Sequence, residues 1–467
     1  MPVISHKSYV SLPATGSEMR SASCNLLHVQ HPARRGRRLI FVTSPMPSLA
    51  DVQRTLFLSD AQLKASRTDL SKLALPPTLR PGARLSVLDI TEFYGDTTGG
   101  IRTYLREKAS YVEAHEQYRE VLVLPGRRDA VTESDGVRCY RVRGPKVPKQ
   151  DPYRFMLATR TNRRIAVHEH PDIIEVGSPG FVPWIVRLAA RGLKIPVVAF
   201  YHSNFPRVFS PFPETANAFR RGLFDMAWGY ARLLDKSFAH TIVCSEFVAN
   251  DLRNAGIDRV TQIPLGVDLA LYHPSRQAKR NDVRARYDLP DGPVAGFVGR
   301  FAVEKELDVL MAAWPEVYRR TGAQLALVGD GPMRERLVAQ SGDAPWARFL
   351  PYEGKRERLA DLIAALDIFV APSSNETFGL AALEALSSGT PVLTANRGGI
   401  SEQVIASGGG MLFESGSSGS LAEMAVTLLG GDLAMLGAKG RLHAENNHSW
   451  DSVFDRIFAL YETIVRG

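Results

Sequence analysis

From residue 84 onward, short apolar runs rich in β-branched residues alternate with helical stretches, and this alternation constrains the fold more than any other feature. The runs are Leu85–Ile90, Val121–Leu124, Val137–Val142, Ile173–Val176, Val197–Tyr201, Thr241–Cys244 and Val260–Leu265. Their composition predicts strands buried on both faces. Helical patterns fall between several of them, at 100–117, 154–169, 180–192 and 217–238. A polar, Pro-containing stretch at 268–292 reads as a linker. Beyond it, strands are expected at Val294–Val298, Gln324–Val328, Arg348–Leu350, Ile368–Ala371 and Val392–Thr394. Helices are expected there at 304–319, 332–340, 356–365, 379–388, 399–405 and 418–429. Strand and helix in alternation predict a parallel sheet covered on both faces. Two such blocks predict an α/β chain of two doubly wound Rossmann-like domains facing a cleft, over 84–272 and 285–445. Trp450–Val465 carries an apolar stripe at helical spacing, after Asn446-Asn447-His448-Ser449 as a crossing and cap. Residues 1–83 read as a poorly ordered extension. Leu39–Val42 as a strand and 51–73 as a polar helix are its structured pieces, and Pro76-Pro77 and Pro81-Gly82 break the chain after them.

Charge divides along the same line. Residues 1–280 hold 40 Lys and Arg against 25 Asp and Glu, whereas 281–467 hold 17 against 24. A basic lobe beside an acidic one points to different partners, with an anionic surface, a nucleic acid or an acidic ligand facing the first. A merely solvated charged surface is the other reading. The three cysteines, Cys24, Cys139 and Cys244, are far apart and form no Cys-x-x-Cys, which argues against a disulfide scaffold or a zinc site. No run approaches the ~18 apolar residues of a membrane span, nor the apolar core of a signal peptide. A cytoplasmic protein is expected.

Ligands of doubly wound sheets bind where strands end. After Leu85–Ile90 comes Tyr94-Gly95-Asp96-Thr97-Thr98-Gly99-Gly100-Ile101, opening a helix. Gly99 and Gly100 would let backbone N–H groups approach an anion, or would simply make a turn. After Val294–Val298, Gly299-Arg300 and Lys305 put a guanidinium fork and a point charge near a helix start, suited to a diphosphate or else solvated. Gly329-Asp330-Gly331-Pro332 allows close backbone approach, or is a tight turn with Pro at a helix start. The most informative stretch is Glu376-Thr377-Phe378-Gly379-Leu380 through Glu384. Two carboxylates about 12 Å apart along a helix rise match the span from sugar to ribose in a nucleotide diphosphate sugar. The N–H groups of Phe378, Gly379 and Leu380 lie between them. Glu384 interrupts an apolar helix, where an unpartnered carboxylate would be costly. His202 ends another strand, as a structural or a functional histidine.

Together these stretches resemble the GT-B-fold retaining glycosyltransferases of family four. The matched pieces are Gly99-Gly100-Ile101, His202, Ile263–Asp268, Val298-Gly299-Arg300 with Glu304-Lys305, Val328–Pro332, Glu376-x7-Glu384, Ala385–Val392 and Gly398–Glu402. Coverage is about 84–465. The resemblance implies that Arg300 and Lys305 neutralise the donor diphosphate. It implies that Glu384 holds the ribose, Glu376 contacts donor-sugar hydroxyls, and His202 touches the sugar at its anomeric centre. Gly99 and Gly100 would close over phosphate and acceptor, and Gly299, Gly329, Asp330 and Thr377 would complete the donor site. It further implies that residues 450–467 cross back onto the first domain, that base contacts lie around Leu350–Gly354, and that transfer retains anomeric configuration without a covalent nucleophile. No Asp-x-Asp occurs, so no metal or other cofactor is expected. One departure is visible: the family usually has Gly after this Lys, and here stands Glu306.

Tyr201–Arg207 and Trp228-Gly229-Tyr230 look most like the glycolipid-making branch, including mannosyl and sulfoquinovosyl lipid synthases. The acceptor is thus expected to be a membrane lipid or a soluble sugar. Arg160, Arg163, Arg164, Arg220 and Arg221 on helices of the basic lobe are available to dock it peripherally on the inner, anionic surface. Two alternatives stand beside a transferase. One is a nucleotide-sugar epimerase of the same fold. The other is a non-enzymatic binder of nucleic acid or membrane, although no aromatic-interleaved basic motif supports nucleic acid. Donor base, sugar and linkage are not legible.

Overall fold

The computed structural model describes Leu70 and residues 75–95, 99–148, 153–209 and 217–467. The expected strand Leu39–Val42, nearly all of the expected helix 51–73, Cys24, Asp96–Thr98 and the rest of the proposed extension up to 74 lie outside them. Residues 76–80 run along the first domain: Arg80 Nη1 donates to the carbonyls of Val112, His115 and Tyr118 at 3.0–3.2 Å.

Eight strands form the first sheet: β1 (Leu85–Ile90), β2 (Tyr118–Gly126), β3 (Ala130–Ser134), β4 (Val137–Arg143), β5 (Ile173–Val176), β6 (Val197–Phe200), β7 (His240–Val243) and β8 (Val260–Gln262). Six form the second: β9 (Val294–Val298), β10 (Gln324–Val328), β11 (Ala347–Leu350), β12 (Ile368–Ala371), β13 (Val392–Ala395) and β14 (Gly410–Phe413). Their orders are β3-β4-β2-β1-β5-β6-β7-β8 and β11-β10-β9-β12-β13-β14. Every pairing is parallel except β3 with β4. β1, β2, β5, β12 and β13 are buried along their whole length, as strands sandwiched between helices must be. Strand order reverses between β1 and β5 and again between β9 and β12. These switch points are where an open α/β sheet leaves a crevice, and the loops singled out from sequence follow β1, β9 and β12.

The segment expected as a linker is ordered. A 3-10 turn, Pro274–Lys279, runs into the helix Arg280–Arg286. Both dock on the second domain through Arg276 to Asp361 at 2.5 Å and Arg284 to Asp367 at 2.7 Å. The last helix, Trp450–Arg466, starts at Ser449, whose hydroxyl accepts from the Ser452 N–H at 3.2 Å. It crosses back to the first domain and buries Trp450, Val453, Phe454, Ile457, Phe458 and Tyr461, packing on the helix Gly100–Ala114. Gly266 is required there, because a Cβ would lie 2.6 Å from the Trp450 ring. Cys139 and Cys244 are buried free thiols. No single helix among the described residues is long and apolar enough to cross a membrane.

Candidate active site

The loops after β9 and β12 meet. Lys305, on the 3-10 turn Val303–Lys305, pairs through Nζ with the Glu376 carboxylate. Burial would lower the Lys305 pKa, but the facing carboxylate outweighs it and holds the ammonium above its ordinary value. Arg300 is exposed just past β9 and forms no ion pair among the described residues. Gly329 is explained without a ligand: a Cβ on it would sit 2.0 Å from the Gly299 carbonyl oxygen, so the loops after β9 and β10 close on each other. Asp330 is exposed, and its backbone carbonyl accepts from the Phe301 N–H at 2.8 Å. Glu306, which stands where the family usually has Gly, takes a backbone conformation that suits Gly. It is left-handed at φ 51°, and its side chain is buried.

The helix Leu380–Ser387 begins after Gly379, itself left-handed at φ 86°. Glu376 and Thr377 precede its N-terminus, Phe378 is buried beneath it, and Glu384 lies one turn inside. Glu384 has partners that account for its place in an apolar helix: the Tyr272 hydroxyl donates to it, and Arg356 is close by. Burial still pushes its carboxyl up to about 7 against both. Arg356 also reaches Glu107 of the first domain at 3.1 Å.

Contacts across the cleft join the two halves of the expected site. Thr377 Oγ1 donates to the His202 carbonyl at 3.0 Å. A Cβ on Gly100 would lie 3.2 Å from Leu380 Cδ1, so the loop after β1 faces the start of the helix Leu380–Ser387. Glu402 accepts from the N–H groups of Glu246 and Phe247 at 2.9 and 2.5 Å, a carboxylate at the N-terminus of the helix Glu246–Asn254. The His202 ring stacks on Phe200 with centroids 4.1 Å apart and meets the edge of Tyr104 at 5.1 Å. Burial pushes its imidazole down to about 4, against the pull of Glu175. His202 is therefore neutral near pH 7, a hydrogen-bonding group rather than a cation. Of the expected sites, the structure brings Lys305, Glu376, Thr377, Leu380, Gly100 and His202 together and leaves Gly329 and Asp330 serving loop packing.

Of the arginines expected to face an anionic surface, Arg160, Arg163, Arg220 and Arg221 are exposed and Arg164 is half-buried. Arg163 and Arg164 also commit donors to backbone, Arg163 to the carbonyls of Ala189 and Arg191 at 2.9 and 2.8 Å and Arg164 to that of Leu70 at 2.7 Å. Among the described residues no three His, Cys, Asp or Glu side chains converge as a metal site.

One cluster was missed from sequence. Behind His202, Lys108 is fully buried, with Nζ 2.7 Å from Asp89, 3.1 Å from Glu175 and 3.1 Å from the Tyr461 hydroxyl. Tyr104 donates to Glu175 at 3.0 Å, and so does Tyr461 of the crossing helix. The signal was present: Asp89 and Glu175 are acids inside otherwise apolar strands, Leu-Ser-Val-Leu-Asp-Ile and Ile-Ile-Glu-Val. A carboxylate in a doubly buried strand needs a buried cation.

Comparison with known proteins agrees with this geometry. Residues 98–271 match the family model of Glycosyltransferase Family 4, and residues 292–430 that of Glycosyl transferases group 1. A GDP-mannose-dependent alpha-mannosyltransferase of Mycobacterium tuberculosis (strain CDC 1551 / Oshkosh) is 33% identical over 347 residues, 73% of this chain and 86% of the relative. Sulfoquinovosyl transferase SQD2 of Arabidopsis thaliana is 29% identical over 346 residues, 73% of this chain and 64% of its own length. Among solved structures, the sucrose-phosphate synthase of Thermosynechococcus elongatus superposes with a TM-score of 0.66 at 21% identity, over 81% of this chain and 98% of that one. With its two Rossmann-like sheets, its crossing helix and these relatives, the chain belongs to the group 1, family 4 glycosyltransferases of GT-B fold.

Proposed function

We propose that this glycosyltransferase moves a hexose from a GDP- or UDP-linked donor to its acceptor with retention of configuration, without a metal or other cofactor. In this reading residues 285–445 are the donor side, and residues 84–272 with 450–467 are the acceptor side. The observation that carries it is the meeting of Lys305, Glu376 and Thr377 with His202 at the carboxyl ends of both sheets. Arg300, Lys305 and the N-terminus of the helix Leu380–Ser387 neutralise the donor diphosphate, a fixed electrostatic environment for the charge that grows on the leaving group. Lys305 exchanges Glu376 for phosphate, and Glu376 turns to the sugar hydroxyls. Glu384 accepts from the ribose. The acceptor oxygen bonds to the anomeric carbon on the face the diphosphate leaves, and its proton passes to the departing phosphate oxygen. Neutral His202 orients the sugar. The experiment is a panel of nucleotide sugars, starting with GDP-mannose, scored by thermal shift and donor hydrolysis with and without excess EDTA. Stabilisation and turnover that persist in EDTA are expected. No response to any donor, or loss in EDTA reversed by manganese or magnesium, overturns the corresponding part.

Glu384 sets a pH dependence. Ribose hydroxyls favour the ionised carboxylate, whereas the free protein holds its proton up to about pH 7. Binding below that value must expel the proton, so donor affinity rises with pH between 6 and 8, by at most about tenfold per unit. A diphosphate flanked by two esters does not titrate in this range. Calorimetry at pH 6 and 8 tests it: Glu384→Gln flattens the dependence, and a flat wild-type profile removes Glu384 from the ribose.

The acceptor in this reading is a membrane lipid. On the acceptor side, the helix Ala218–Asp235 leaves Phe219, Met226 and Leu233 exposed on one stripe, beside Arg220, Arg221 and Arg232. An apolar stripe on a helix that also exposes arginines suits the interface of an anionic bilayer, at about 1 kcal/mol per basic residue near the surface. Co-sedimentation with phosphatidylglycerol vesicles at low salt is expected, reduced several-fold by Phe219→Ser with Met226→Ser. No vesicle binding together with turnover on a water-soluble acceptor overturns it.

A further inference from the structure

Glu306 combines an unfavourable backbone conformation with an unusually complete set of side-chain bonds. A left-handed residue with a Cβ persists only where its surroundings hold it. Here Oε1 accepts from the Ser374 N–H at 2.8 Å and from the Ser374 hydroxyl at 2.6 Å, and the Asn375 side chain adds a third bond. Next to it, the Ser373 hydroxyl donates to the Glu304 carbonyl at 2.7 Å. The turn Val303–Lys305 with Glu306 and the segment 373–377 are therefore joined three times, by the Lys305–Glu376 ion pair, by the Ser373–Glu304 bond and by the Glu306–Ser374 bonds. The ion pair differs from the other two ties in one respect. Donor binding takes it apart, because Lys305 goes to phosphate and Glu376 to sugar. It leaves the Glu306–Ser374 bonds intact, because that exchange calls on neither Glu306 nor Ser374.

We propose that Glu306 is a positioning residue: its carboxylate keeps the segment Ser374–Thr377 in place when Lys305 leaves Glu376, so that Glu376 meets the sugar and Thr377 stays on His202. The part that concerns the donor rests on the donor-site reading above. Sub-ångström errors in placing such a group can cost one to two orders of magnitude, so the expected effect is large for a residue that touches no substrate.

Three variants separate the backbone from the carboxylate. Glu306→Gly relieves the strain of a left-handed residue and removes the tie, Glu306→Ala keeps the strained Cβ and removes the tie, and Glu306→Gln keeps an oxygen acceptor for Ser374. Hydrogen exchange of the unliganded protein reads the tie directly: amides of 373–377 should exchange at least about tenfold faster in Glu306→Gly and Glu306→Ala, and near the wild-type rate in Glu306→Gln. Calorimetry with GDP, GDP-mannose, UDP and UDP-glucose reads the function. The nucleotide sugar that binds wild type should bind Glu306→Gly about tenfold more weakly, while the bare nucleoside diphosphate binds within about twofold of wild type. Unchanged exchange at 373–377 in Glu306→Gly overturns the proposal. So does equal weakening for sugar-bearing and bare nucleotides, which marks a general loss of folding. Wild type that binds none of the four probes refutes the donor-site reading instead, and the exchange measurement still decides whether Glu306 holds the segment.

Discussion

Lys108→Ala should destabilise the protein by about 3–5 kcal/mol, measured as a shift in urea unfolding, the expected cost of breaking a buried ion pair from one side. The ammonium is fully buried between Asp89 and Glu175. Burial opposes its charge, but the two carboxylates outweigh this and hold it well above its ordinary pKa. Glu120 faces the same cluster, fully buried, and desolvation together with Asp89 raises its carboxyl well above the usual range. Removing the cation leaves Asp89 and Glu175 charged without a partner, or forces them to take up protons. Lys108→Met should cost nearly as much, because it restores volume and not charge. Adding Glu175→Gln to it should recover part of the loss, because fewer charges are then stranded. A shift below about 1 kcal/mol for Lys108→Ala would show that water or a rearranged Tyr461 satisfies the acids.

Arg300→Ala and Lys305→Ala should each weaken nucleotide-sugar binding by about 10- to 100-fold, as expected for one charge-assisted contact to phosphate worth about 1.5–3 kcal/mol. The two act differently. Arg300 is exposed and without an ion pair among the described residues, so its loss should leave the melting temperature unchanged. Lys305 is paired with Glu376, so its loss also leaves an uncompensated carboxylate facing the incoming diphosphate. Lys305→Ala should therefore be the worse binder, and adding Glu376→Gln should recover part of its loss. Wild-type affinity in both single variants, by calorimetry, would remove the diphosphate from this junction.

The parts of the fold that were legible in the sequence are those whose environment is uniform. A strand buried on both faces needs only apolar residues, and β1, β5, β9, β10, β12 and β13 announce themselves in that way. Elements set by particular neighbours were not legible. β3 is a polar edge strand, Ala-Val-Thr-Glu-Ser, held by its antiparallel pairing to β4. The helix Leu433–Asn447 contains Gly437 and Gly440, which lower helix propensity. They are there because a Cβ on Gly437 would lie 2.2 Å from the Gly389 carbonyl oxygen, and one on Gly440 2.8 Å from Leu386 Cδ2. The segment 274–286 looked like a linker because its arginines find their acids about eighty residues away.

The site divides similarly. Residues at strand ends were found because position alone marks them. The Lys305–Glu376 pair and the bonds of Glu306 depend on loops brought together by the fold, and spacing along the chain carries no trace of them; of the cluster around Lys108 only the acids in β1 and β5 were visible, not the cation between them. Glu384 shows both sides: its oddness in an apolar helix was visible, and Tyr272, which answers it, was not.

The crossing helix has a consequence for how the protein is made. Tyr461 and Glu175 are 286 residues apart in the chain. At ~5–20 residues per second, a ribosome that has emitted Glu175 needs roughly 15–60 s more to deliver Tyr461. Over the later part of that interval, once residue 272 has emerged, the rest of the first domain is present and cannot close, with Tyr111, Tyr118 and the Lys108 cluster lacking the helix that covers them. Its completion waits until the second domain has been synthesised, and the slow search expected of so distant a contact begins only then. A circular permutant that carries residues 450–467 ahead of residue 75 would let the first domain close while the second is still being translated.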